Sequence, residues 1–203
     1  VTTIRGNRLI SNQSGFGGAM ALSGEDNASL VEWNVISDNQ AVSGGGVAVL
    51  ERAHPLIQDN SFSGNVATTR GGAVYCQACT LNLERNRFTH NMAVSTGNAI
   101  HIQWLQFSIY GIPQTESNLV NNLIYDHEND STPTVNIHNS QVNLVNNTII
   151  RNPASVIGVG VWVEEPLADL PASVHMTNTI LAGHHTGVYR KNGSVTMQGT
   201  LWG

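Results

Sequence analysis

The sequence predicts an all-β chain folded as a right-handed, single-stranded parallel β-helix, a solenoid of about seven coils with three short strands in each. Three observations predict it. An asparagine-flanked motif recurs through the chain, at offsets of 27, 26 and 26 residues over its first four copies, a glycine-rich step follows it, and apolar and polar residues alternate at period two in the segments between.

The first strand of each coil is the motif itself. Asn7-Arg8-Leu9-Ile10-Ser11-Asn12 aligns with Asn34 to Asn39, with Asn60-Ser61-Phe62-Ser63-Gly64-Asn65 and with Asn86-Arg87-Phe88-Thr89-His90-Asn91. The unit returns at Asn122-Leu123-Ile124, at Asn147 to Asn152 and at Asn178-Thr179-Ile180, with an eroded copy at Gly199-Thr200-Leu201. The third position is always Ile, Leu or Phe, which sets one inward side chain per coil. The flanking asparagines suit the turns, where a short amide can bond the backbone of its own and neighbouring coils.

The second strand follows Gly17-Gly18-Ala19-Met20, Gly44-Gly45-Gly46-Val47, Gly71-Gly72-Ala73-Val74 and Gly97-Asn98-Ala99-Ile100. Glycine supplies the backbone angles of a tight corner. The third strand precedes the next motif, as in Leu30-Val31-Glu32-Trp33, Leu56-Ile57-Gln58-Asp59, Leu81-Asn82-Leu83-Glu84 and Val142-Asn143-Leu144-Val145. No coil can bury its apolar face alone, but stacking coils about 4.8 Å apart pairs every strand and piles like side chains into ladders. A propeller or sandwich would need two-residue hairpin turns, and Asn-Gly occurs only at Asn192-Gly193.

Composition excludes several classes. Nine Lys and Arg against fourteen Asp and Glu leave a net charge of −5, a poor match to nucleic acid or to an anionic membrane surface. No apolar run approaches the roughly 20 residues that span a bilayer, so membrane insertion is not expected either. Cys76 and Cys79 have no second pair to complete a zinc site and no βαβ context for redox chemistry, which leaves a small disulfide or two inert buried thiols. Residues 1–203 read as one β-helix domain. A start at Val1, already inside a coil, reads as a segment of a longer protein, and open solenoid ends would permit end-to-end self-association.

Phe62-Ser63-Gly64-Asn65 followed by Gly71-Gly72-Ala73-Val74 shows the paired F-x-x-N and G-G-A-[IV] motifs most clearly. With them the chain resembles the repeats of polymorphic outer-membrane proteins and, more widely, right-handed β-helix repeat proteins. The resemblance implies a secreted or cell-surface protein, often an adhesin. Enzymatic relatives of this fold include pectate lyases, polygalacturonases and alginate epimerases. Their motifs are missing here: there is no R-x-P-x-x-R, Gly183-His184-His185 lacks the second Gly of G-H-G, and Tyr125-Asp126-His127-Glu128 lacks the Gly and Pro of the epimerase sequence.

Function on such a scaffold sits where the repeat is interrupted. Insertions fall at Gln103 to Glu116, His127 to Pro133 and Glu164 to Ala172. Outward positions of the second strand give the row Ala21, Ala48, Tyr75, His101, Asn136, Trp162 and Tyr189, with Gln77, Gln103, His138 and Glu164 at the strand's exit. Rings interleaved with polar groups suit sugar faces, so Tyr75, His101, Asn136, His138, Trp162 and Tyr189 are the candidate ligand contacts; the bland alternative is ordinary cross-strand packing. His90, Asp126 and Arg151 share one turn position and, with Glu164, are the candidates for acid or base chemistry. Asp126, Glu128 and Asp130 form the one carboxylate group that could hold Ca²⁺, and no other cofactor is expected. The expected function is that of an extracytoplasmic surface or adhesin-like β-helix binding polysaccharide on one outer face. Its rivals are a polysaccharide lyase or glycoside hydrolase, and a purely structural, filament-forming solenoid.

Overall fold

The computed structural model describes residues 1–104, 115–127, 131–151, 158–165 and 171–203. These contain no helix and 27 strands, all paired in parallel. The strands form four sheets running along one axis, of eight, eight, four and seven strands, and the chain is a parallel β-helix of about seven coils.

The third coil shows the plan. Leu56–Gln58 lies in the A sheet, Ser61–Ser63 in the B sheet, Val66–Arg70 in the C sheet and Val74–Gln77 in the D sheet. The A, B and D sheets are the three strands expected from the repeat. The C sheet is a fourth, formed among the described residues by Gln13–Phe16, Gln40–Ser43, Val66–Arg70 and Met92–Ala93 of the first four coils. Three strands per coil therefore becomes four at this end of the solenoid. At the corner between the C and D strands Gly71 has φ +64°, and a Cβ there would lie 2.3 Å from the Val74 carbonyl oxygen, so the corner calls for glycine.

Register puts like residues on like. Leu9, Ile36, Phe62, Phe88, Ile124, Ile149 and Leu181 follow one another across the B sheet and point inward, and the five from Ile36 to Ile149 are fully buried. The A sheet adds Val31, Ile57, Leu83, Leu119 and Leu144, and the D sheet adds Val49, Cys76, Ile102, Ile137 and Val163. One slip of register would turn every one of these to water, which is why the pairing is so constrained.

Two turns flank each B strand, and both need a left-handed residue just before an asparagine. Trp33, Asp59, Arg85, Asn121 and Asn146 take it before the first asparagine, and Asp38, Gly64, His90 and Asp126 before the second position. The first asparagines Asn34, Asn60, Asn86 and Asn122 are buried and bond in the same way: the Asn60 Nδ2 donates to the Asn86 Oδ1 (3.1 Å) and to the Val31 carbonyl (2.9 Å), while its Oδ1 accepts from the Asn34 backbone N–H (2.9 Å). The ladder runs Asn7, Asn34, Asn60, Asn86, Asn122, Asn147 and ends on Thr179, whose hydroxyl donates to the Leu144 carbonyl; the motif expected at Asn178-Thr179-Ile180 is thus shifted by one residue, Asn178 taking the left-handed turn and Leu181, not Ile180, pointing inward. The second ladder runs Asn12, Asn39, Asn65, Asn91, and then a histidine: Nδ1 of His127 accepts from the Asn91 N–H at 3.2 Å.

Cys76 and Cys79 form a disulfide within the turn that follows the third D strand, and both are buried.

Candidate functional site on the outer face of the D sheet

The outward D-sheet positions are in register from coil to coil. Ala21, Ala48, Tyr75, His101, Asn136, Trp162 and Tyr189 pair in succession, and Ser23, Leu50, Gln77, Gln103, His138, Glu164 and Lys191 form the neighbouring column. The first column contains five of the candidate ligand contacts and the second contains His138. Lys191 was not singled out in the sequence, although its place 27 residues after Glu164 marks it as a member of the same column.

The two ends of this face differ. In the early coils the column is closed over: Ala48, Tyr75, His101 and Asn136 are all buried. The C sheet supplies part of the cover, with Phe16 stacked on Tyr75 (centroids 6.4 Å apart) and Thr96 bonded to His101. The buried polar atoms join in one directional chain. The Thr96 hydroxyl donates to Nδ1 of His101 (2.9 Å), whose Nε2–H donates to Oε1 of Gln103 (3.1 Å). The Gln103 amide then donates to the Tyr75 hydroxyl (2.7 Å), which donates to Oε1 of Gln77 (2.6 Å). Each link satisfies the next, as burial requires. Burial holds the His101 imidazole down to about 3, and burial likewise raises the Tyr75 phenol. His101 is a neutral structural group at ordinary pH, and a weak base.

In the later coils the face opens. Trp162 and Tyr189 stack with centroids 4.1 Å apart and an interplanar angle of 30°. Tyr189 is 40% exposed, and one of its ring faces rests on Trp162. Beside them, Nζ of Lys191 donates to Oε1 of Glu164 at 2.8 Å. That bond holds the Glu164 carboxyl below its ordinary value against the opposing effect of burial, with smaller contributions from the Lys191 charge, the Trp162 indole and His138. A shallow cleft of about 270 Å³ adjoins Trp162, lined by Thr132, Pro133, Val159, His185 and Thr186, on the side where the C sheet has ended.

The turn candidates are arranged differently. His90 and Asp126 are stacked neighbours, both left-handed, joined by a backbone bond from the His90 N–H to the Asp126 carbonyl (2.9 Å). No ion pair joins these two side chains among the described residues. The Arg151 N–H bonds the Ala182 carbonyl in the following coil. Glu128 and Asp130, the other two calcium candidates, lie outside the described residues, as do Phe107 and Tyr110 of the first insertion. Among the described residues no three His, Cys, Asp or Glu side chains are grouped to hold a metal.

His127 and His101 make a pH dependence predictable. Both are buried and their values lie at about 4 and about 3, below the ordinary 6.5. The unfolded chain takes up these protons as pH falls through about 6.5, while the native state refuses them until far lower pH. Stability is therefore full above about pH 7 and declines below it. Each histidine should cost about 2 kcal/mol at pH 5 relative to pH 7.5. Thermal melts at the two values test this, and His127→Asn, which restores the ladder's usual residue, should remove its share of the decline.

A solenoid of asparagine-laddered coils with one open aromatic face defines a β-helix repeat protein. Residues 61–77, the B, C and D strands of the third coil, match the model of the Chlamydia polymorphic membrane protein repeat. The repeats of this chain resemble those of the polymorphic membrane proteins, which supports a cell-surface setting. Neither the curated proteins nor the solved structures contain a match to the chain.

Proposed function

We propose that this chain is a surface-displayed, adhesin-like β-helix that binds polysaccharide on the outer face of its D sheet, in the later coils. One observation carries the reading: the stacked Trp162–Tyr189 pair is open at Tyr189 and stands beside the Glu164–Lys191 ion pair. An aromatic ring with hydrogen-bonding side chains next to it is what a pyranose needs, an apolar surface for its C–H face and polar partners for its hydroxyls. Tyr189 is the contact and Trp162 backs it. The buried Tyr75, His101 and Asn136 act as the rigid support of the early coils. The repeat in coil three adds the surface setting.

A glycan-array screen tests the reading. Tyr189→Ala should weaken any glycan found by about tenfold or more, and Trp162→Ala by a comparable factor through loss of the backing ring. Unchanged affinity in both, with the fold intact, would leave only the structural solenoid. Incubating the bound glycan with the protein separates binding from hydrolysis or elimination, since an enzyme would release new reducing ends or unsaturated uronate.

A further inference from the structure

We infer, on that reading, that the face selects a polysaccharide carrying carboxylates, and that His138 tightens its hold as the solution becomes acidic. The inference begins with the second column. Gln103, His138, Glu164 and Lys191 are paired in register on four successive strands, and neighbours in such a column stand about 4.8 Å apart. At neutral pH the charges of Glu164 and Lys191 cancel within their ion pair. Between this pair and the buried Gln103 lies His138, uncharged. Its Nε2 is buried and has no hydrogen-bond partner, a cost that a buried polar atom rarely carries without a reason.

Groups facing His138 act in opposite directions. From the following strand Glu164 attracts a proton to it; from the C sheet Arg70 repels one; burial, the largest influence, also keeps the value below that of a free imidazole. On the preceding strand His101 meets the His138 ring edge-on, at a centroid distance of 6.5 Å. That residue cannot share the proton, because its own Nε2–H is committed to Gln103. Among the described residues, the carboxylate that attracts a proton to His138 is Glu164, its neighbour in the column. With His138 protonated, Glu164 is shared between two cations, Lys191 is held less tightly, and the net charge of the three goes from zero to +1. A uronate seated on Tyr189 gains from that charge. A neutral sugar gains nothing. A uronate is still an anion at pH 5.0, so ligand and site carry opposite charges once His138 is protonated.

The test compares oligogalacturonate with a neutral mannan oligosaccharide by calorimetry at pH 7.5 and pH 5.0. Oligogalacturonate should bind about tenfold more tightly at the lower pH, the range expected when binding is linked to one proton, and the mannan oligosaccharide should show no rise. His138→Gln, which continues a column that already carries Gln77 and Gln103, should bind oligogalacturonate with the same affinity at pH 5.0 as at pH 7.5, whatever that affinity is. By reciprocity, bound oligogalacturonate should raise the midpoint of the His138 imidazole titration followed by NMR. An equal rise in His138→Gln, or an equal rise with mannan, would overturn the inference. Binding of mannan alone would overturn it too while leaving the glycan reading in place; binding of neither sugar at either pH would remove both.

Discussion

Replacing Phe62 or Phe88 with alanine should cost about 3 to 5 kcal/mol each, the largest loss expected from any single apolar truncation in this chain. The two rings are fully buried, adjacent in the inward column of the B sheet, and stacked with centroids 4.8 Å apart at 15°. Their neighbours in the column are Ile36 and Ile124, and the surrounding coils are fixed by backbone pairing that cannot close up around a void. The removed ring therefore leaves a cavity rather than a collapse. Because the rings touch each other, the double variant should lose less than the two single losses combined. Urea denaturation measures all three. Leu123→Ala, on the outer side of the same sheet and 37% exposed, is the control and should cost well under about 1 kcal/mol. A loss at Phe62 no larger than at Leu123 would mean that the inward column is wrongly assigned.

Asn60→Ala should cost nearly as much, although it removes no apolar surface. The substitution removes the Asn60 partner of the Val31 carbonyl and of the Asn34 N–H and leaves the Asn86 Oδ1 with one donor fewer, all at buried positions. A buried group left without its hydrogen bond costs roughly 1 to 3 kcal/mol, so a total of about 3 to 5 kcal/mol is expected. Asn118→Ala offers the comparison. Asn118 also stands in a ladder, between Asn82 and Asn143, but on the half-buried outer side of the A sheet where water can replace it. Its loss should stay near 1 kcal/mol. Equal losses at Asn60 and Asn118 would show that burial is not what makes the inner ladder matter.

The fold was legible because its repeat is written in residues with few alternatives. Asn60 and Asn65 bracket Phe62 at a spacing that only a short strand with a tight turn at each end satisfies, and Gly71 stands where any Cβ would strike the Val74 carbonyl. The D-sheet column was legible for the same reason, since period two fixes which residues of Val74–Gln77 face outward. Exposure was not. Tyr75 and His101 face outward from their sheet and are nonetheless buried, because a C strand lies alongside, and Val66–Arg70 carries no glycine, proline or apolar alternation that announces it. Its pairing rests on backbone groups, which every residue has. His127 was hidden in another way: it stands at the end of the asparagine ladder through the geometry of Nδ1, and no residue count equates an imidazole nitrogen with an amide oxygen. The pairing of Glu164 with Lys191 needed the register of two strands joined through residues whose length varies from coil to coil.

The inner asparagine ladder has a sense of direction. Every side-chain amide along it donates to the oxygen of the next asparagine toward the C-terminus, from Asn7 to Asn34 and onward to Asn122 and Asn147. The amide dipoles therefore align rather than alternate, and the column behaves like a row of small magnets laid nose to tail. One end of the row offers oxygen lone pairs and the other offers N–H bonds. Parallel strands impose the same polarity on the backbone. Reversing any one coil would set oxygen against oxygen on one side and N–H against N–H on the other, so the ladder fixes the direction of every coil from Asn7 to Asn147.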